Sequence, residues 1–188
     1  MEPADQNLPK WVICMAGAPG VGKSSLVRRF VDNMFSHEFL PTMGVDIRKK
    51  TVEVGGQRII LMLWDLAGDD EFLLSSQAGA LMQNTRIARA MGFILVADVT
   101  RRATLSEAIA RHRRIVADAK AGGQPEPPFV LALNKSDVEE REILEAEVRE
   151  SVPGWTVIPT SAKTGDGVEL AFRTIAEIIV SRLDEDDE

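Results

Sequence analysis

The chain has 188 residues and a formal net charge of −7, with 45% hydrophobic and 27% charged residues. This length fits one domain, and this apolar content excludes an intrinsically disordered chain. The acidic pI near 5.0 argues against a protein that binds nucleic acid by general neutralisation of phosphates, so we expect no nucleic-acid partner.

Cysteine usage and hydropathy bear on the compartment. Cys14 is the only cysteine, which excludes an internal disulfide framework and suits a reducing compartment. No apolar run approaches the roughly 18 residues that a membrane span needs. The sequence shows neither a signal peptide nor a lipidation motif, since Glu2 follows Met1 and the acidic C-terminus has no cysteine. We expect a cytoplasmic monomer without a membrane anchor of its own.

The predicted elements follow a flexible leader at residues 1–9. Short apolar runs predict buried strands at residues 10–15, 59–64, 93–99, 129–133 and 157–159. Residues 45–54 alternate partly and predict a strand with one solvated face, and Gly55 and Gly56 after it are a hairpin signal. Helical patterns lie at residues 22–35, 104–119, 138–150 and 166–183, before an acidic tail at 184–188 that we expect to be disordered.

The alternation of strands and helices predicts the fold class. It is typical of an α/β fold with a mostly parallel six-stranded sheet and helices on both faces. The hairpin would add one antiparallel edge strand. The basic cluster at residues 101–102 and 111–114 is typical of a solvated helix face. The spacing of the elements leaves the strand order open.

The strongest motif is GAPGVGKS at residues 17–24, which fits GxxxxGK[ST] between a predicted strand and a predicted helix. Backbone N–H groups of such a loop surround phosphate oxygens, and the helix N-terminus adds positive potential. Lys23 would reach the β- and γ-phosphates, and the Ser24 hydroxyl would bind Mg²⁺. The motif predicts a nucleotide or phosphate site without selecting the base.

Three weaker motifs follow other predicted strands. In WDLAGDDEF, Asp65 can hold Mg²⁺ through water, and Gly68 lets its N–H approach the γ-phosphate. In NKSD at residues 134–137, a carboxylate can accept two N–H bonds from a guanine edge, a pattern that adenine does not offer. SAK at residues 161–163 follows the last short strand. Ligands of open α/β sheets bind at the carboxyl ends of strands, where all four motifs are predicted to lie.

With these motifs in this order, residues 10–183 resemble the Ras-like small GTPases. GAPGVGKS, PTMGVD, DLAGDDEF, NKSD and SAK look like the five nucleotide-binding segments of that family. PTMGVD before a hairpin, and ADVT at 97–100, are nearer in style to the Rab branch. Some bacterial and Roc-type relatives are similar too.

The resemblance implies a P-loop NTPase G domain that binds GTP or GDP with Mg²⁺. The implied phosphate-binding residues are Gly20, Val21, Gly22, Lys23, Ser24, Ser25, Thr42 and Gly68. The implied guanine-binding residues are Phe35, Asn134, Lys135, Asp137, Ser161, Ala162 and Lys163. The implied magnesium ligands are Ser24, Thr42 and Asp65, and the implied catalytic residues are Lys23, Thr42, Gly68 and Asp69. Effectors and regulators would contact residues 39–45, where Phe39 would cover the phosphates, and residues 69–91.

The sequence departs from the family pattern at three places. Asp69 stands where the family usually has a catalytic glutamine, and an ionised Asp has no donor and repels the γ-phosphate. Pro19 replaces a usual glycine of the phosphate loop. Residues 68–92 are longer than the usual segment, and Arg86 or Arg89 within them could act as a charge stabiliser, although solvated arginines are the commoner case.

Three functions remain open at this point. The first is a GTP/GDP switch that hydrolyses GTP slowly. The second is a GTP-binding scaffold with negligible hydrolysis, which Asp69 and Pro19 also favour. The third is a P-loop kinase for a small substrate, which would leave NKSD and SAK without a role.

Overall fold

The computed structural model of the chain describes residues 8–37, 42, 45–66 and 90–186. Among the described residues, six strands form one sheet: β1 (Lys10–Ala16), β2 (Val45–Val54), β3 (Gln57–Leu66), β4 (Ala90–Asp98), β5 (Phe129–Asn134) and β6 (Val157–Pro159). The described part of the chain also contains four helices: α1 (Lys23–Asp32), α2 (Arg102–Ala121), α3 (Glu145–Ser151) and α4 (Val168–Asp186). Within these ranges no helix is long and apolar enough to cross a membrane.

The strand order is β2-β3-β1-β4-β5-β6. β2 and β3 pair antiparallel through the turn at Gly55 and Gly56, whereas all other neighbours pair parallel. The predicted α/β fold with one antiparallel strand at the edge is therefore confirmed. Because β1, β3, β4, β5 and β6 run in the same direction, their carboxyl ends share one edge of the sheet.

Two apolar layers cover the two faces of the sheet. On one face α1 and α4 pack together, with the rings of Phe30 and Phe172 stacked 4.1 Å apart. On the other face Ala108 and Ile115 of α2 and Val148 of α3 pack against the sheet. Burial on both faces explains why β1, β4 and β5 read as continuous apolar runs.

The helix predicted at residues 138–150 is wrong over its first half. Main-chain N–H groups of Glu142 and Ile143 both bond to the carbonyl of Val99, and Ile143 is 1% exposed. α3 therefore begins only at Glu145. The charged pattern of this segment carried no sign of that distant anchor.

Other boundaries also moved. α1 ends at Asp32 because Asn33 is left-handed and its N–H caps the Arg29 carbonyl. Met34, which lies within the helix predicted at residues 22–35, is therefore outside α1 and is 66% exposed. β4 begins at Ala90. The last two residues of the segment 69–91, which was predicted to contact effectors and regulators, therefore belong to a strand. α4 continues through Asp186, which corrects the disordered tail predicted from residue 184.

Candidate functional site

The loop after β1 is shaped by glycines with positive φ. Gly17, Gly20 and Gly22 have φ of 151°, 72° and 99°, a region that side chains with a Cβ rarely adopt. A Cβ on Gly17 would press on the main-chain oxygen of Val96, and one on Gly22 would press on the amide nitrogen of Asn134. The loop therefore needs glycine both for its conformation and for its neighbours.

Lys23 lies at the start of α1 and folds back over this loop. Its Nζ donates to the main-chain oxygens of Gly17 at 2.7 Å and Ala18 at 3.2 Å, and the residue is 6% exposed. Gly22, the N-cap of α1, has no side chain that could cap the first-turn N–H groups. A buried ammonium beside a helix N-terminus creates a local environment that suits an anion.

A cluster of oxygens lies beside the loop. Ser24 Oγ and Thr42 Oγ1 are 2.8 Å apart, and Thr42 Oγ1 donates to Asp65 Oδ2 at 3.3 Å. Asp65 is 1% exposed, and its Oδ1 has no hydrogen-bond partner among the described residues. Burial raises the pKa of Asp65, although hydrogen bonds from Ser24 and Thr42 and the charge of Lys23 act the other way.

The oxygens of this cluster fit Mg²⁺. A buried carboxylate with an unsatisfied oxygen beside two hydroxyls offers the hard ligands that this ion takes. In the described part of the chain, no group of three His, Cys, Asp or Glu side chains could hold a metal by itself. Water or phosphate oxygens would complete the shell of a magnesium ion here.

Asn134, at the end of β5, joins three segments of the site. Its Nδ2 donates to the main-chain oxygen of Val21 at 2.8 Å, and its Oδ1 accepts from the Ala162 N–H at 3.2 Å. The residue is 2% exposed. A single buried amide therefore ties the glycine loop after β1 to the loop after β6.

Asp137 is oriented by the SAK segment. Its Oδ1 accepts from Ser161 Oγ at 2.6 Å, and Lys163 Nζ lies 3.8 Å from its Oδ2. The Asp137 side chain is 15% exposed. The carboxylate is thus held in one orientation at the edge of the site.

Phe35 is half-buried against the core and meets His37 edge-on, with ring centroids 5.0 Å apart. Its predicted contact with a base stays a prediction. Gly68, Asp69, Phe39, Arg86 and Arg89 lie outside the described residues.

Comparison with known proteins identifies the family to which this chain is similar. Residues 12–181 match the protein-family model of the Ras family. The chain is 35% identical to Ras-related protein SEC4 of Saccharomyces cerevisiae, over 92% of this chain and 76% of that protein. It is 33% identical to Ras-related protein Rab-4 of Dictyostelium discoideum, over 94% and 82% of the two chains, and 32% identical to Ras-related protein Rab-27B of Homo sapiens, over 90% and 79%.

The chain belongs to the Ras family. It is a Ras-like small GTPase near the Rab branch, and its fold is a Ras-family G domain. This confirms the resemblance predicted from the order of the motifs. As a member of this family it is a GTP-binding switch with hydrolase activity, so the P-loop kinase alternative is set aside.

The structure of this GTPase adds residues that sequence reasoning missed. Arg29 of α1 bonds to the main-chain oxygens of Ala162 and Lys163, both at 2.7 Å. Arg101, predicted on a solvated helix face, instead donates to Asp98 Oδ2 and to the main-chain oxygen of Pro19, both at 3.0 Å. An Asp three residues before an Arg, at the end of an apolar strand, was the only local signal for that pair.

Proposed function

We propose that this GTPase binds GTP and GDP with Mg²⁺ along the carboxyl edge of its sheet and hydrolyses GTP slowly. The observation that carries the proposal is the Asn134 amide, which bonds to Val21 of the phosphate loop and to Ala162 of the SAK segment. A phosphate-binding loop and a base-binding motif held together by one buried side chain suit a ligand with both a polyphosphate and a base.

The phosphate end would be bound by the glycine loop and the start of α1. The N–H groups of Gly20, Val21, Gly22 and Ser25 would surround phosphate oxygens, since they lie in the loop or in the first turn of the helix. The Lys23 ammonium, already buried over the loop, would neutralise β- and γ-phosphate charge. Its Nζ donates to the carbonyls of Gly17 and Ala18, and these bonds hold the ammonium over the loop.

Ser24 and Thr42 would hold Mg²⁺ through their hydroxyls, and Asp65 would hold it through water. When bound, the ion supplies neutralisation of phosphate charge. The contacts among these three side chains support this assignment, because they bring the required oxygens together.

Guanine selectivity would come from Asp137. A fixed carboxylate accepts from two N–H groups of guanine, whereas adenine would leave it unpaired at a cost. Ser161 supports this role, because its Oγ donates to Asp137 Oδ1 at 2.6 Å and orients the carboxylate. Lys135, Ala162 and Lys163 would complete the base site, and Phe35 would contact the face of the ring.

The switch would work through Thr42 and Gly68. Their N–H groups would contact the γ-phosphate only while it is present, so hydrolysis would release residues 39–45 and 69–89 to change partners. Effectors and regulators would read these two segments. We further propose a cytoplasmic monomer; a reducing compartment suits the buried Cys14, which is the only cysteine in the sequence.

Base selectivity is tested by competition. With Mg²⁺ present, we expect unlabelled GTP, but not ATP, to displace a fluorescent GDP from the purified chain. Asp137→Ala should abolish the preference, while Glu139→Ala, an exposed neighbour, should keep it. Equal displacement by ATP and GTP from the wild-type chain would overturn the proposal.

Slow hydrolysis is tested at Asp69, where an acidic side chain lacks the donor that a glutamine offers the transition state. In single-turnover assays we expect Asp69→Gln to hydrolyse GTP faster than the wild type, and the control Asp70→Asn to leave the rate near that of the wild type. An equal or slower rate for Asp69→Gln contradicts this explanation. A wild-type chain that retains GTP without measurable product would favour the scaffold alternative.

A further inference from the structure

Arg101 stands between β4 and α2, as the N-cap residue of that helix. Its Nε donates to Asp98 Oδ2 at 3.0 Å, and its Nη2 donates to the main-chain oxygen of Pro19 at 3.0 Å. The Arg101 side chain is 47% exposed, but that of Asp98 is 1% exposed. One end of the guanidinium is thus fixed by a buried carboxylate, and the other end holds the phosphate loop.

Asp98 also holds the guanine motif. Its Oδ2 lies 2.5 Å from Lys135 Nζ, and its Oδ1 accepts from the N–H and the hydroxyl of Thr100 at 3.0 and 2.7 Å. Burial alone raises the pKa of Asp98, but the bonds from Lys135 and Thr100 outweigh it and lower the pKa. The carboxylate is therefore ionised at neutral pH and accepts bonds from two cations.

These contacts make a continuous chain from Pro19 through Arg101 and Asp98 to Lys135. Lys135 has a φ of +66°, a left-handed conformation that is unfavourable for a residue with a Cβ. Its bond to Asp98 therefore helps to hold strained backbone within the guanine motif. At the other end, a bond to the Pro19 carbonyl restrains the phosphate loop at the residue that departs from the family pattern.

We propose that Asp98 and Arg101 are positioning residues that fix the distance between the phosphate loop and the guanine motif. This inference rests on the proposed nucleotide site and adds a second connection to the one made by Asn134. The two connections differ in chemistry: Asn134 is a buried neutral amide, whereas Arg101 and Asp98 form an ion pair that is open to solvent on the arginine side. Without Arg101, the phosphate loop would be freer to move relative to a bound base.

The test uses the full chain with Arg101→Gln, compared with Arg102→Gln. Arg102 is the matched control, because it bonds to Glu142 and Glu147 on the α3 side and not to the phosphate loop. We expect Arg101→Gln to speed release of fluorescent GDP in excess Mg²⁺ about tenfold, as for a lost charge-assisted hydrogen bond. Arg102→Gln should release GDP at the wild-type rate.

Arg101→Lys separates positioning from general stability. A lysine can reach one acceptor but cannot bridge two in the planar geometry of a guanidinium, so its release rate should fall between those of the wild type and Arg101→Gln. Thermal melts of the three proteins identify any loss of folding. Release at the wild-type rate from a folded Arg101→Gln, or an equal acceleration in Arg102→Gln, overturns the inference.

A double-mutant cycle tests the connection through Asp98. The effects of Arg101→Gln and Lys135→Met on the activation free energy of GDP release should be non-additive, because both remove a cation from the same carboxylate. Multiplicative effects would mean that the two residues act separately, which also overturns the inference. A wild-type chain without guanine preference refutes the proposed function as well, whereas guanine preference with an unaffected Arg101→Gln refutes the inference alone.

Discussion

Arg29 and Ala162 are 133 positions apart, yet Arg29 Nε donates a 2.7 Å hydrogen bond to the Ala162 main-chain oxygen. The same guanidinium bonds to the Lys163 oxygen and to Asn33. The helix that begins with Lys23 and Ser24 is thereby fixed to the SAK segment. Arg29 thus gives α1 a direct contact with the proposed base site.

Replacing Arg29 should loosen bound nucleotide. Arg29→Met removes the bonds to both carbonyls, and we expect release of fluorescent GDP to accelerate about tenfold, since hydrogen bonds from charged groups are worth about 1.5–3 kcal/mol. Arg28→Met is the control, because Arg28 has no hydrogen bond to the SAK segment among the described contacts. Equal release rates for the two variants would show that this contact does not support the site.

Gly22 and Gly56 allow a matched test of the phosphate loop. Both have positive φ, 99° and 74°, but a Cβ at Gly22 would meet the Asn134 amide, whereas one at Gly56 would meet nothing within 4 Å. Each alanine should cost about 1–2 kcal/mol of stability through backbone strain. Only Gly22→Ala should also lose nucleotide affinity in equilibrium titrations. Normal affinity in a folded Gly22→Ala would contradict the role given to Asn134.

We expect the effect of Mg²⁺ on GDP release to depend on Ser24. In the wild type, chelation of Mg²⁺ should speed GDP release, because the ion neutralises phosphate charge. Ser24→Ala removes one ligand oxygen, so release should already be fast and chelation should change it little. Ser25→Ala keeps the backbone N–H proposed to bind phosphate and should respond to chelation as the wild type does. Stopped-flow experiments with and without EDTA measure the rate of GDP release from all three proteins.

His112 should make stability depend on pH. Its ring lies 4.0 Å from that of Phe129 and 4.5 Å from that of Trp155. Desolvation lowers the His112 pKa, although Glu126 at 3.5 Å opposes this. The unfolded chain therefore takes up a proton first, near pH 6.5. The stabilising effect of neutral His112 should be fully present above that pH and should be lost as the pH falls below it.

The measurement is the free energy of unfolding in urea between pH 7.5 and pH 5. The free energy of unfolding of His112→Phe should fall less steeply than that of the wild type as the pH is lowered over this range. His37→Gln, at the exposed histidine, is the control and should keep the wild-type slope. Identical slopes for the wild type and His112→Phe would contradict the role of the buried ring.

The sequence predicted those elements whose conformation depends on residues that are neighbours in the chain. Gly55 and Gly56 form the hairpin turn because both adopt a positive φ, which a tight two-residue turn requires. This conformation depends on the two glycines themselves. The glycine loop at 17–24 was equally readable, since its conformation depends on residues within it. The segment from 138 to 144 was not, because the distant Val99 carbonyl anchors Glu142 and Ile143.

By itself, the sequence determined the family, the order of the four motifs and the class of fold, because each depends on residues close together in the chain. The strand order and the contacts of Arg29 and Arg101 were decided only by tertiary structure. Arg29 reaches Ala162 across 133 positions, and Arg101 reaches Pro19 across 82. Such pairs form because parallel strands end at one edge of the sheet, and no spacing along the chain encodes which side chains meet there.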